Sequence, residues 1–262
     1  PTRLALLPGE KLAAVANTLD DTISIVDLQR LRVAATVSLG PTPEPTAADR
    51  GEQLFFDSRL SLDGWYSCHS CHTDGHTNGL LNDNLGDEYF GTPKKILTLL
   101  GTGETSPWAW NGGSPSLEAQ VKKSLLVTMQ SEEENASEEN IAAIKSYMLT
   151  LSPPPGIDAA RDVVDPAAVR RGAARFREQG CVDCHAPATY TTPGRFDVGI
   201  HDERGMKEFN PPSLRGVSQR PPYFHDNRAA TLNDVLDRYQ HGLKGEISPE
   251  QRQDLLAFLR SI

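Results

Sequence analysis

The 262-residue chain has no cysteine outside two short segments, few aromatic residues, no basic block and no long apolar run. Each shortage closes off a class of protein. A net charge of −9 with no basic stretch argues against nucleic acid as a partner. An acidic surface suits a small basic redox partner, and it also serves solubility. No apolar stretch approaches the roughly 18 residues of a membrane helix, so no membrane span is expected. No signal peptide is visible, and the start at Pro1 is expected of a processed or trimmed chain. Hydrophobic residues make up 38%, low for this length. Something other than side chains is therefore expected to help fill the core.

What is present is concentrated. All four cysteines lie in two pentads, Cys68-x-x-Cys71-His72 and Cys181-x-x-Cys184-His185. A chance pentad at this composition has a probability on the order of 10⁻³, so two are no accident. On a helical turn, positions i and i+3 share a face. Two thiols there can each add to one vinyl group of a haem, and the next residue, His, is carried beneath the macrocycle to ligate iron. A thioredoxin-like pair does not require the histidine, and a Cys₂His unit is a poor zinc site without a fourth ligand. Two covalently bound haem c groups are expected, with His72 and His185 as proximal ligands. Attachment of this kind implies export, so a periplasmic or otherwise exported location is expected. His69, inside the first pentad, reads as a solvent-facing spacer.

The surroundings of the pentads repeat. Arg50-Gly51-x-x-x-Phe55 precedes the first, and Arg171-Gly172-x-x-x-Phe176 the second. Each opens a helix, the second with Asp165 as cap and Pro166 at its first position. "SEENIAAIKSYMLTL" (137–151) matches "SPEQRQDLLAFLRSI" (248–262), with Ser137 and Ser248 as N-caps and two apolar stripes, Ile144/Tyr147/Met148/Leu151 and Leu255/Phe258/Leu259/Ile262. Between them, "PWAWNGGSPSLEAQV" (107–121) matches "PPYFHDNRAATLNDVL" (221–236) at an offset of 115, which sets Trp110 on His225 and Ser116 on Thr231. The fold class expected is mainly α. Two tandem cytochrome c-type haem domains, 46–155 and 156–262, follow a short β-meander over 1–45. In that meander, strands are expected at Thr22–Val26 and Arg32–Leu39, separated by the "DLQR" turn.

On these residues, 46–262 resemble the bacterial dihaem cytochrome c peroxidase superfamily, including its tryptophan-oxidising methylamine-utilisation branch. The carrying motifs are the two pentads, "LFFDSRLS", "WNGG…SLEAQ" and "PPSLRGV…PPYFHDN…TLNDV". Residues 12–40, with "NTLDDTISIVDL", are similar to the last blade of a YVTN-type β-propeller. The resemblance implies a peroxidatic N-terminal haem, a C-terminal haem that relays electrons, and a tryptophan between them, which falls at Trp110; Trp108 lies nearby.

The resemblance also implies the remaining site residues. The sixth ligand of the second haem lies eight residues after the Thr of "TL", which is Tyr239; His241 and Met206 are alternatives. The offset of 115 then puts Ser124 opposite the first haem, leaving an open sixth position for hydrogen peroxide. Many relatives close this position with a loop histidine; His76 is the one in that loop here, but four residues after His72 it is too close to reach the opposite face and reads as a surface loop residue, so no reductive activation is expected. Distal groups fall ten and twenty residues after the tryptophan, at Gln120 and Gln130, where the family has Gln and Glu. An amide cannot carry a proton; Glu132 or Glu133 is the candidate substitute, the alternative being that "SEEEN" is a solvated, acidic helix entrance. His225 is expected to hydrogen-bond a propionate or the backbone, and His201 to be a surface residue. The family's calcium ion between the haems uses an Asn that is Lys95 here, and backbone carbonyls at Arg220 and Pro222. A lysine ammonium would repel calcium and stand in for its charge, which leaves calcium open.

The activity implied is a dihaem oxidoreductase that reduces hydrogen peroxide at the N-terminal haem, with electrons from a small redox protein or an oxidisable protein substrate. Gln130 in place of the family Glu weakens that expectation and leaves two alternatives. One is a non-enzymatic dihaem electron carrier; the other is peroxide-dependent oxidation of a protein substrate, with oxidising equivalents held on both haems.

Overall fold

The computed structural model describes residues 3–9, 11–41, 43–85 and 89–262. The chain divides into two units, 1–46 and 47–262. The first is a four-stranded antiparallel meander of β1 (Arg3–Leu6), β2 (Leu12–Asn17), β3 (Thr22–Asp27) and β4 (Arg32–Ser38), in sequential order. The two expected strands are β3 and β4, within a residue or two of their foreseen ends. Register sets Ile25 against Ala14 on one side and Ala35 on the other. The Asp27 carboxylate accepts from the Gln29 and Arg30 amides at 2.9 Å each, which is why the "DLQR" segment turns. Four antiparallel strands are also the number in a propeller blade.

The second unit holds α1 (Ala47–Phe56), α2 (Cys68–Cys71), β5 (Leu81–Asn82), β6 (Lys94–Lys95), α3 (Leu117–Lys123), α4 (Glu138–Met148), α5 (Ile157–Ala160), α6 (Pro166–Glu178), β7 (Phe196–Asp197), β8 (Glu208–Phe209), α7 (Leu232–Asp237) and α8 (Pro249–Ser261). The caps are the ones the sequence calls for. Asp165 accepts from the Ala167 and Ala168 amides at 2.9 and 3.1 Å. Ser137 and Ser248 each accept from the third helical amide at 3.2 Å. Ser116 and Thr231 cap α3 and α7 in the same way.

The internal repeat is visible as two equivalent helix pairs, α1 on α4 and α6 on α8. Each pair meets at a glycine. A Cβ built on Gly51 would stand 1.9 Å from the Ala143 carbonyl oxygen, and one on Gly172 1.9 Å from that of Asp254. Four residues on, Phe55 packs on Tyr147 and Phe176 on Phe258 with the same geometry, 5.1 Å between centroids at 56°. One core gathers Leu117, Leu125, Ile144 and Met148; the other gathers Phe176, Leu236, Leu255 and Phe258. The connecting loops repeat too. Ala109 and Phe224 share φ 70°, and the isolated bridges Trp108–Ser114 and Tyr223–Ala229 are 115 residues apart.

The repeat departs from that offset further on. After α3 the chain makes a π-helical turn, Ser124–Thr128, that α7 lacks. Both helices end on a left-handed glutamine, Gln130 (φ 51°) and Gln240 (φ 45°). Each end is closed by a reaching-back amide, Ser131 to Leu125 O (3.0 Å) and His241 to Val235 O (3.1 Å). Here the offset is 110. Tyr239 therefore corresponds to Met129 in the fold, and the expected pairing of Tyr239 with Ser124 is corrected.

No helix among the described residues is long and apolar enough to cross a membrane. Because the paired helices touch backbone to backbone, Gly51→Ala and Gly172→Ala are each expected to cost about 1–3 kcal/mol. Thermal denaturation of the purified protein should show the midpoint falling by about 2–10 °C for each.

Candidate functional site

The pentad residues line two cavities. The first, of about 240 Å³, is bounded by Cys68, Cys71 and His72; the second, of about 200 Å³, by Cys181, Cys184 and His185. In each case a turn places both sulfurs and the imidazole on one wall. The two histidines are aimed alike. His72 donates through Nδ1 to Leu97 O at 2.9 Å, and His185 through Nδ1 to Tyr190 O at 3.1 Å. Their Nε2 atoms are left to face the cavities. Burial, chiefly, pushes both imidazoles down to about 4, so both are neutral donors. Burial likewise pushes the Cys68 thiol up to about 12 and Cys181 up to about 11.

One wall is common to both cavities. Trp110, the strap Lys95–Thr98, Asn210 and Arg220 line each of them. The indole of Trp110 donates to Lys95 O at 2.8 Å and meets Phe209 and His225 edge-on at 6.4 and 6.3 Å. Two cations are buried in this wall, Lys95 and Arg220, each 7% exposed. Neither pairs with a carboxylate among the described residues; both donate to backbone carbonyls. Burial lowers Lys95 to about 8 and Arg220 to about 10.

The chemistry of the walls fits a c-type haem in each cavity. Two thiols can bond the vinyl groups, a neutral imidazole is oriented toward the space, and buried cations without a carboxylate suit the acidic propionates of the macrocycle.

Other expected residues fall variously. Gln120 lines the first cavity. Its Oε1 accepts from Ser114 Oγ at 2.6 Å, and its Nε2 donates to Ser124 Oγ at 3.2 Å. Ser124 also lines this cavity. Gln130 and Glu132 do not: both are exposed, because the π-turn and the left-handed Gln130 turn them off the wall. Glu133 is exposed as well. No carboxylate lines the first cavity among the described residues. Trp108 lines it and donates to Thr102 O at 3.0 Å.

On the second cavity the surprise is at the end of α7. Tyr239 does not line it; its hydroxyl donates to Arg228 O at 2.8 Å. His241 does line it, with its Nδ1 buried and unpartnered and its ring edge-on to Phe224 at 5.2 Å. Met206 lines the first cavity rather than the second.

The remaining histidines are mostly tied down. His225 is fully buried, stacks on Phe209 at 4.3 Å, and has both ring nitrogens unpartnered, so the expected backbone bond is absent. His76 is half-buried, shares a 2.6 Å hydrogen bond between its Nδ1 and Thr98 Oγ1, and lines neither cavity. His69 lies tilted against Phe56 at 4.5 Å and reaches Asp74 Oδ1 at 3.3 Å while staying partly exposed, and His201, exposed as expected, donates to Asp202 O at 3.0 Å.

Comparison with known proteins agrees with this geometry. Residues 45–152 match the family described as di-haem cytochrome c peroxidase, and residues 169–262 match cytochrome c. The methylamine utilization protein MauG of Methylorubrum extorquens is 27% identical, over 84% of this chain and 78% of its own. The cytochrome c551 peroxidase of Nitrosomonas europaea is 26% identical, over 84% of this chain and 81% of its own. In fold, a hydrazine synthase chain of Kuenenia stuttgartiensis superposes with a TM-score of 0.71 at 24% identity, over 88% of this chain and 99% of its own. The diheme peroxidase BthA of Burkholderia thailandensis covers 100% of this chain and 95% of its own, with a TM-score of 0.63 at 17% identity. Residues 45–152 thus form a domain of the di-haem cytochrome c peroxidase family, and residues 169–262 a cytochrome c domain.

Proposed function

We propose that this chain is an exported dihaem peroxidase that reduces hydrogen peroxide at the first cavity with electrons delivered through the second. The domains of this reading are 1–45, 46–155 and 156–262, with the first a blade-like sheet. The observation that carries it is the wall shared by two pentad-lined cavities, with Trp110 in it. A c-type haem in each cavity would supply the redox chemistry, taking one peroxide, two electrons and two protons to two waters. His72 and His185 would hold the irons, and the four cysteines would anchor the macrocycles.

The chain's own groups prepare the first cavity for peroxide. Ser114 donates to the Gln120 carbonyl, which fixes the amide so that its NH₂ donates to Ser124 Oγ. The Ser124 hydroxyl hydrogen is then free to point into the cavity and donate to a bound oxygen. Leu117, Val121 and Leu125 line the same wall and exclude water. Trp110 is the aromatic side chain common to both sites and would carry electrons between them. The electron source is a small redox protein or an oxidisable protein substrate, and the acidic surface favours a basic partner.

For the second cavity the geometry favours His241 over Tyr239 as the donor opposite His185. His241 stands on the cavity wall with an unpartnered nitrogen, whereas the Tyr239 hydroxyl is engaged by Arg228 O. A second reading, a pure electron carrier, is favoured by the absence of a lining carboxylate among the described residues, since Ser124 and Gln120 offer hydrogen bonds but no ready proton carrier.

The haem content should be two per chain by pyridine haemochromogen assay, falling to one in Cys181→Ala/Cys184→Ala. Stopped-flow mixing with peroxide should change the spectrum of the oxidised protein rapidly, and Gln120→Leu should lower kcat/KM for peroxide about 100-fold; a spectrum inert to peroxide supports the carrier. In low-temperature electron paramagnetic resonance, His241→Ala should convert one low-spin signal to high-spin while Tyr239→Phe leaves it unchanged. The opposite pattern restores Tyr239 as the ligand.

A further inference from the structure

The wall between the cavities contains a charge that the proposed peroxide chemistry does not use. Lys95 is 7% exposed, and its Nζ donates to Arg220 O at 2.5 Å and to Pro222 O. The Tyr223 ring lies beside it, 5.6 Å to the centroid. Its backbone is engaged as fully. The amide donates to His225 O at 2.6 Å, and the carbonyl accepts from Trp110 Nε1 at 2.8 Å. One residue of the first haem domain is thus fastened to positions 220, 222 and 225 of the second, and to the tryptophan between the sites.

The neighbouring residue sharpens the contrast. Consecutive strand residues point to opposite sides. Lys94 finds the Asp202 carboxylate at 3.1 Å, an ordinary buried pair. Lys95 finds only oxygen dipoles. Two backbone carbonyls two residues apart converge on one point, as they do around a bound hard cation. Buried carbonyls left unsatisfied there would be costly. An ammonium, a compact point charge with three donors, meets that need.

We infer that the Lys95 side chain is a built-in cation that joins the two haem domains and so anchors the Lys95 carbonyl that accepts from Trp110, so that this junction works without a calcium ion. Lys95 is accordingly a positioning residue, acting through Trp110. The inference rests on the reading of the two cavities as haem sites, but not on what substrate is turned over. If it holds, removing the charge empties a cradle of oxygens, and an oxygen-bearing side chain at 95 would complete a cation site.

The experiment uses the haem-loaded protein and three measurements: metal content, thermal midpoint, and the visible spectrum of the half-reduced state. Wild type should hold less than about 0.1 calcium per chain, and chelator or about 5 mM Ca²⁺ should move neither the midpoint nor the spectrum. Lys95→Met should lower the midpoint by about 5 °C or more and alter the half-reduced spectrum, with no recovery in calcium. Lys95→Asn should show the same loss in chelator and recover in about 5 mM Ca²⁺. One tightly held calcium per chain in wild type overturns the inference, as does a Lys95→Met protein with wild-type midpoint and spectrum. If the variants do not fold, the metal content and chelator response of wild type still decide. A protein that passes these tests but leaves peroxide untouched would contradict the proposed activity and not this junction.

Discussion

Two hydrogen bonds, one per imidazole, set the frame for everything else in the haem-bearing unit. A histidine tethered by a C-x-x-C turn can still rotate about its side-chain bonds. The Leu97 and Tyr190 carbonyls remove that freedom and leave Nε2 as the outward donor of each ring. Once the ring is fixed, the plane of any macrocycle attached to the adjacent sulfurs is fixed too. Trp110 is placed separately, by its hydrogen bond to Lys95 O and its edge-on contacts with Phe209 and His225. Neutral, buried imidazoles complete the arrangement, since a protonated ring could not ligate iron.

The two halves use one plan and then break it. Glycine-mediated helix pairs, aromatic stacking and the loops around residues 109 and 224 are copies in angle and distance. The break is five residues long, the π-turn Ser124–Thr128, and it sits where the halves must differ chemically. It begins at Ser124, which lines the first cavity beside Gln120 of α3, while the shorter α7 brings His241 onto the second. A duplicated protein thus obtains one wall of weak hydroxyl and amide donors and another bearing an imidazole.

How far the sequence reveals this depends on the kind of constraint involved. Haem attachment is legible because bond formation dictates both spacing and residue type. The helix ends are legible because Asp165, Ser137 and Ser248 can satisfy free amides in only one way. Trp110 and Lys95 are found by position in a motif, and both lie in the wall common to the two cavities. Counting along a helix is what misleads for Gln130, Glu132 and Tyr239. A count of ten residues assumes constant winding, and nothing in "SLLVT" announces a wider turn. The left-handed glutamines then reverse which neighbour faces inward. Backbone acceptors such as Leu97 and Tyr190 leave no mark at all, since every residue carries a carbonyl.

The strap from Lys95 to Thr98 is only four residues long, yet it touches nearly every working part. Leu97 holds the proximal ring of the first site, Thr98 holds His76, and Lys95 grips the opposite domain and Trp110. An extended segment so short has little slack. The ring that would hold the first iron and the junction between the two haem domains therefore share one short length of backbone, two residues apart.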